Sequence, residues 1–484
     1  MNDHSPPEEL ALHALNVCEQ LGAAYSDVRS VSTVTEYYAV ANGQVVNASD
    51  KVEAGMGIRV LVDGAWGFAF CDGFNREDLE KACKRAVALG QIGAEVNRRR
   101  VDIGSPVISS GSYHTPVIMD PFAMDIEDKL RPILDATKAM RSVHGIVNAT
   151  GTMEFIQRDT QFFSNEGSRI SQTIVESGAG LAAVAAVSNE VQRRTFPTNL
   201  LRQQGTGGFE LIQNLNLVEN GSKITQEAID MCSAIPCPQG EFDVIMDPTL
   251  LAQVLHELVG HNTELDRIFG SERGYAGTSF VSPDLSTPSK YGSPLINVYF
   301  DSTYPGGLGT FGYDDEGVPA QRNDLIKNGM VVGFHTSRET AARIGKESNG
   351  CMRADGHHGM PIVRMTNLIL KPGEWPLEEL IADTDHGILM SVNQSWSIDE
   401  RREMFDYSAQ FGYEINGGKI GRMIKAPTFR GRTLELWNSV DAICNEDSFK
   451  VYGLPICGKG EPWQGGPVSH GCSPARFRSL CVGG

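Results

Sequence analysis

The chain lacks any excess of basic residues: 42 Lys and Arg stand against 60 Asp and Glu, a formal net charge of −18. Binding to a nucleic-acid backbone rests on clustered Lys and Arg, so no nucleic-acid partner is expected. No run of about 18 apolar residues occurs, the length that crosses a bilayer, so no membrane partner is expected either. The opening residues MNDHSPPEELALHALNVCEQLG contain no basic region followed by an uninterrupted apolar stretch, so a signal peptide is not expected. There is no C-x-x-C among the ten cysteines, which lie scattered from Cys18 to Cys481. Without export a disulfide framework is not expected, and the thiols read as mostly buried and reduced in a cytoplasmic protein. No G-x-S-x-G supports a serine hydrolase. GTGGFE near residue 205 lacks the strand and long helix of a phosphate loop, so no nucleotide cofactor is expected.

What is present is ordinary apolar content, a length of 484 residues, and 52 glycines. Length suggests two or three domains, and abundant glycine suggests many turns. Leu10, Ala14, Val17, Cys18 and Leu21 mark a first helix, with Ser5 as its cap. After it the apolar period falls to two, and Asn42-Gly43 and Asp63-Gly64 are hairpin signals. A helix is expected at 76–89, ended by Gly90, another near 125–143, and a pair at 207–218 and 223–234. Two prolines and a glycine in IPCPQG place a candidate boundary at 235–241. Beyond it strand-and-turn patterns dominate, with turns at Asn328-Gly329 and Asn416-Gly417-Gly418. The expected fold is α+β: an α/β-mixed domain at 1–235, and a mainly antiparallel β domain at 236–484.

The chemistry concentrates in FDVIMDPTLLAQVLHELVGHNTELD. Asp247 is a good helix cap and Pro248 a good first helical residue. Leu250, Leu251, Val254, Leu255 and Leu258 form a buried stripe, and His256 and Glu257 lie beside it. The zinc-peptidase pattern H-E-x-x-H sets its histidines four apart; here His256 and His261 are five apart. On an ideal helix that separation turns them about 140° from each other. Convergence on one ion then needs a π-bulge, or a helix ended by Gly260 so that His261 reaches back. The third ligand stays open, with Glu264, Asp266 or a distant Cys or His as candidates, and Glu264 or Asp266 could instead orient the histidines. His470 and Cys472 in VSHGCSP read as ordinary residues near the site, and His357-His358 as a solvated polar loop. For Arg364 and Asn367 in PIVRMTN, hydrogen bonding between strands competes with a substrate or oxyanion role.

HELVGHNTELD, YDDEGVPAQRNDLIKNGMVVGF, PIVRMTN, FDYSAQFGYEINGGKIGRMIK and ICGKGEPWQGGPVSHGCSPARFR occur in an order that resembles the TldD/PmbA family, on its TldD side. The N-terminal stretch from SDVRSVSTV to WGFAF resembles the family's first domain, so the likeness covers nearly the whole chain. The resemblance implies a single zinc ion held by His256, His261 and Cys457, with Glu257 as catalytic base and the metal site in the C-terminal domain. It implies hydrolysis of unfolded or extended peptides, and a heterodimer with a TldE/PmbA-like subunit or a homodimer. Two other readings are a related hydrolase that tailors a small peptide or amide metabolite, and a non-catalytic partner of a peptidase pair.

Overall fold

A computed structural model describes residues 7–97, 99–199, 202–274, 277–287 and 289–483. The first half is one eight-stranded sheet with helices on it. Strands run in the order Ala65–Asp72, Gln44–Val62, Tyr25–Ala41, Ile146–Ser164, Arg169–Val187 and Ser110–His114. Glu190–Phe196 and Gln203–Thr206 also pair with Arg169–Val187. The hairpins close where expected: Asn42, Gly43, Asp63 and Gly64 all have positive φ, which two-residue turns of matching twist require.

Helices Pro7–Gln20 and Arg76–Val96 pack over Val28, Ile58 and Val60, while Ile126–Arg141 and Leu217–Met231 pack over Tyr38, Met153 and Leu181. Val28 and Tyr38 share parity on one strand, so both helix pairs cover the same face. The Ser5 cap lies outside the described residues. Gly90 does not end the second helix. It lies where a Cβ would sit 3.1 Å from Val62 Cγ2, so the glycine allows helix and strand to approach closely. The expected helix at 207–218 is reduced to the short Glu210–Asn214, and the next helix already begins at Leu217.

The opposite face of this sheet meets the second half through polar groups. Arg59 donates to Asp27 (2.6 and 2.8 Å) and to Glu316 (3.0 Å), and Arg29 donates to the carbonyls of Gly356 and Gly359. His357 is buried rather than solvated, and lies 2.8 Å from Asp72. The loop around it docks where Gly55 and Gly57 leave no room for a side chain.

The second half holds two larger sheets. One runs Met330–Val331, Arg322–Lys327, Val298–Asp301, Asn367–Leu370, Gln464–Cys472 and Lys450–Lys459. The other runs His386–Ile398, Gly240–Met246, Ala475–Val482, Thr428–Arg432, Met404–Asn416 and Lys419–Lys425, and pairing of the first with the fifth closes a ring of five strands. Most pairings are antiparallel, so the fold is α+β with a mainly antiparallel β second half. Helix Pro248–Leu255 touches strands of both sheets. Its Leu250, Leu251, Val254 and Leu255 are fully buried beside Val244, Phe300 and Leu368. No described helix is long and apolar enough to cross a membrane.

Candidate metal centre

The helix at the site starts as its residues dictate. The Asp247 carboxylate accepts from the N–H groups of Thr249 (3.0 Å) and Leu250 (3.1 Å), and Pro248 occupies the first turn. At His256 the winding changes. Residues His256–Gly260 form a π turn, closed by the His261 N–H on the His256 carbonyl. The extra residue in HELVGH is absorbed there, which brings two side chains that an α-helix would splay onto one side. Gly260 has a second reason to lack a side chain: a Cβ there would meet Met365 Sδ at 1.9 Å.

The two imidazoles then converge with Cys457, which arrives on strand Lys450–Lys459. One ligand-capable atom from each of His256, His261 and Cys457 lies within 4.8 Å of the others. His261 Nε2 is 3.5 Å from Cys457 Sγ. All three are 3% exposed or less. Burial would raise the Cys457 thiol, but the His261 imidazole and the Arg364 guanidinium bring it below its ordinary value. Burial lowers His256 below its ordinary value, which favours the neutral imidazole that a metal requires. Two imidazole nitrogens and a thiolate suit a borderline divalent ion such as zinc, with a fourth position left for water or substrate.

Each imidazole is oriented from behind. His261 Nδ1 lies 2.9 Å from Glu264 Oε2. Glu264 is fully buried; burial opposes its charge, but Lys459 (3.3 Å) and His261 hold its carboxyl well below the usual range. Lys459 is anchored in turn by both oxygens of Asp266, at 2.8 and 2.9 Å. So Glu264 orients a histidine and Asp266 orients a lysine. His256 Nδ1 faces His470 Nε2 at 2.6 Å. For His256 to offer Nε2, its proton must sit on Nδ1 and donate to His470 Nε2. Burial and the neighbouring histidines push His470 well below its ordinary value, keeping the ring neutral so that its Nε2 can accept. His470 is thus no bystander. In the sequence it carried no signal beyond its closeness to Cys457.

Glu257 stands apart from the three. Its Oε2 accepts from Arg402 Nη1 at 2.7 Å, and Oε1 lies 3.4 Å from Gln253 Nε2. Burial would raise its carboxyl, but His256 and Arg402 bring it down to about 2. Glu257, His256, His261 and Cys457 line a cleft of about 540 Å³, together with Arg273, Trp396, Ile456 and Trp463. Arg364 and Asn367 do not line it. Arg364 donates to the carbonyls of Cys457 and Gln464, and Asn367 to the Asp301 carbonyl and the Thr310 hydroxyl, so both brace strands.

Residues 239–484 match the PmbA/TldA metallopeptidase C-terminal domain, and residues 26–90 match domain 1 of the same group. A metalloprotease of Methanothermobacter thermautotrophicus is 30% identical over 95% of both chains. A zinc metalloprotease TldD homolog of Saccharolobus solfataricus is 22% identical over 96% of this chain and 98% of its own. Among solved structures, TldE from Thermococcus kodakarensis superposes with a TM-score of 0.73 at 17% identity. It covers 98% of this chain and 100% of its own. At that identity the likeness concerns the fold.

Proposed function

Because this chain belongs to the TldD/PmbA family and is a metallopeptidase, we propose that it hydrolyses unfolded or extended peptides, with one zinc ion held by His256, His261 and Cys457 and Glu257 as base. What supports the ligand set is the meeting of two imidazoles and a thiol within 4.8 Å at the floor of the cleft. A bound zinc ion supplies a polarised scissile carbonyl and a water acidified to a pKa near 7, by the general behaviour of such sites. Glu257 takes the water's proton on Oε1 and hands it to the leaving amine, while Arg402 fixes Oε2 and keeps the carboxylate ionised. Strand Lys450–Lys459 ends its sheet; Gln203 covers its edge at Val451 and Gly453, and beyond them Leu454, Ile456 and Gly458 line the cleft, where the edge can bind an extended main chain with little side-chain preference.

The same reading takes the working form as a dimer, with a TldE/PmbA-like subunit or a second copy, in the cytoplasm. A second reading, tailoring of a small peptide or amide metabolite, is favoured by Trp396 and Trp463 on the cleft wall. Comparing kcat/KM for short and long peptides separates the two. The main proposal is tested by metal analysis and peptide turnover, with the partner subunit added where the chain alone is inactive. We expect one zinc per chain, lost in Cys457→Ala, and in Glu257→Gln retained zinc with lost turnover. Stoichiometric zinc in Cys457→Ala, or full turnover in Glu257→Gln, would refute it.

A further inference from the structure

A second, smaller cavity of about 70 Å³ lies between the first sheet and the second half of the chain. Four arginines reach it: Arg29 and Arg158 from two paired strands of the sheet, Arg353 from strand Met352–Arg353, and Arg364. Two of them lie within ion-pair distance of a carboxylate. Arg29 Nη1 is 3.9 Å from Asp315, and Arg158 Nη1 is 3.6 Å from Glu176. Arg353 and Arg364 have no ion-pair partner among the described residues. Arg353 uses Nη1 on the carbonyls of Met365 and Pro467, and its Nε and Nη2 bond nothing else described. Burial, with the charges of Arg364 and Arg158, lowers Arg353 to about 10, and the more weakly acting Glu176 and Asp315 do not restore it.

The acids near the wall offset this charge only in part: Asp315 faces Arg29, and Asp315 and Glu176 both act on Arg353. Asp315 and Asp355 each accept a backbone N–H at 2.8 Å, from Ala354 and Gly465. Asp314 takes the N–H groups of Glu316, Val318 and Met352, and burial beside Glu316 pushes its carboxyl well above the usual range. Guanidinium groups crowded out of water repel one another unless a counter-charge sits among them. Their planar donor forks match the oxygens of a carboxylate or phosphate. A water needs about 10–15 Å³ of such space, so this cavity holds a group of a few heavy atoms.

We propose that this cavity binds a small oxoanion, carboxylate or phosphate, gripped by Arg353 and Arg158 and flanked by Arg29 and Arg364. The site is separate from the cleft and does not depend on the peptidase reading. It shares Arg364 with the strand that carries Cys457. The test is calorimetric titration of the zinc-loaded full chain with inorganic phosphate, and separately with acetate, at constant ionic strength. One saturable site per chain is expected for at least one anion: phosphate alone points to a tetrahedral ligand, and acetate as well points to a carboxylate. Arg353→Met should weaken binding about tenfold or more, and Arg158→Met about threefold. The Arg158 side chain makes no hydrogen bond among the described residues, only its 3.6 Å ion pair with Glu176, so Arg158→Met decides the matter if Arg353→Met fails to fold. No saturable binding of either anion overturns the proposal. Unchanged affinity in Arg158→Met also overturns it, because an anion resting on the metal would behave that way.

Discussion

Two buried charged clusters in this molecule are built on opposite plans. At the junction of its halves, Arg59 lies between Asp27 and Glu316, with the Trp66 ring 4.5 Å from the guanidinium. The cation is enclosed by its counter-charges. Around His256–Glu264 the charged groups form the outer layer instead. Glu264, Lys459, Asp266 and Arg402 pair with one another or grip the backs of the inner side chains. The inner atoms, two imidazoles, a thiol and one oxygen of Glu257, are left turned toward shared space. Burial of charge therefore does not mark chemistry by itself. A set of donors aimed at one gap, with its partners behind it, does.

Substitutions should separate the two plans. Glu257→Gln is expected to cut kcat by about 10²–10⁴ with metal content nearly unchanged, while loss of its ion pair with Arg402 lowers the melting temperature only modestly. Arg59→Ala should do the reverse, lowering unfolding free energy by about 3–5 kcal/mol in denaturant titrations because two carboxylates lose their cation. If Arg59→Ala left stability intact but abolished turnover, the contrast would fail. Glu264→Gln and His470→Phe should each weaken zinc binding by about 10–100-fold in chelator competition, because each frees one imidazole to rotate. The smallest effect is on pH. The depressed Glu257 carboxyl stays ionised until the pH falls toward about 2, so its ion pair stabilises the fold above its ordinary value and is lost as pH drops through the depressed one. Arg402→Met should raise that carboxyl and move the acid limb of the kcat profile to higher pH. A limb that stays put would show that Glu257 is not the group being titrated.

Much of this was legible because it is local. Helix caps, hairpin glycines and the leucine stripe before His256 depend on neighbours in sequence, and the spacing of His256 and His261 posed the geometric problem that the π turn solves. Cys457 was not legible from spacing, since 196 residues separate it from His261; only the family resemblance pointed to it. His470 and Lys459 were missed for the same reason. A lysine beside a cysteine reads as exposed, yet Lys459 is fully buried because Asp266 and Glu264 wait for it across the domain. His357 reads as solvated in a glycine-rich loop, and is buried because that loop docks on a strand from the other half of the chain. The pattern at 207–218 predicts a longer helix than Glu210–Asn214, since periodicity cannot tell a short helix from a capped turn.

The account stands on one sulfur and two imidazoles sharing one cation. Cobalt loading tests this directly, because a thiolate bound to cobalt(II) gives a sulfur-to-metal charge-transfer band. The wild-type chain and Cys472→Ala should both show that band, since the Cys472 thiol faces the Pro248 carbonyl instead. Cys457→Ala should lose it. A band that persists undiminished in Cys457→Ala would contradict the account.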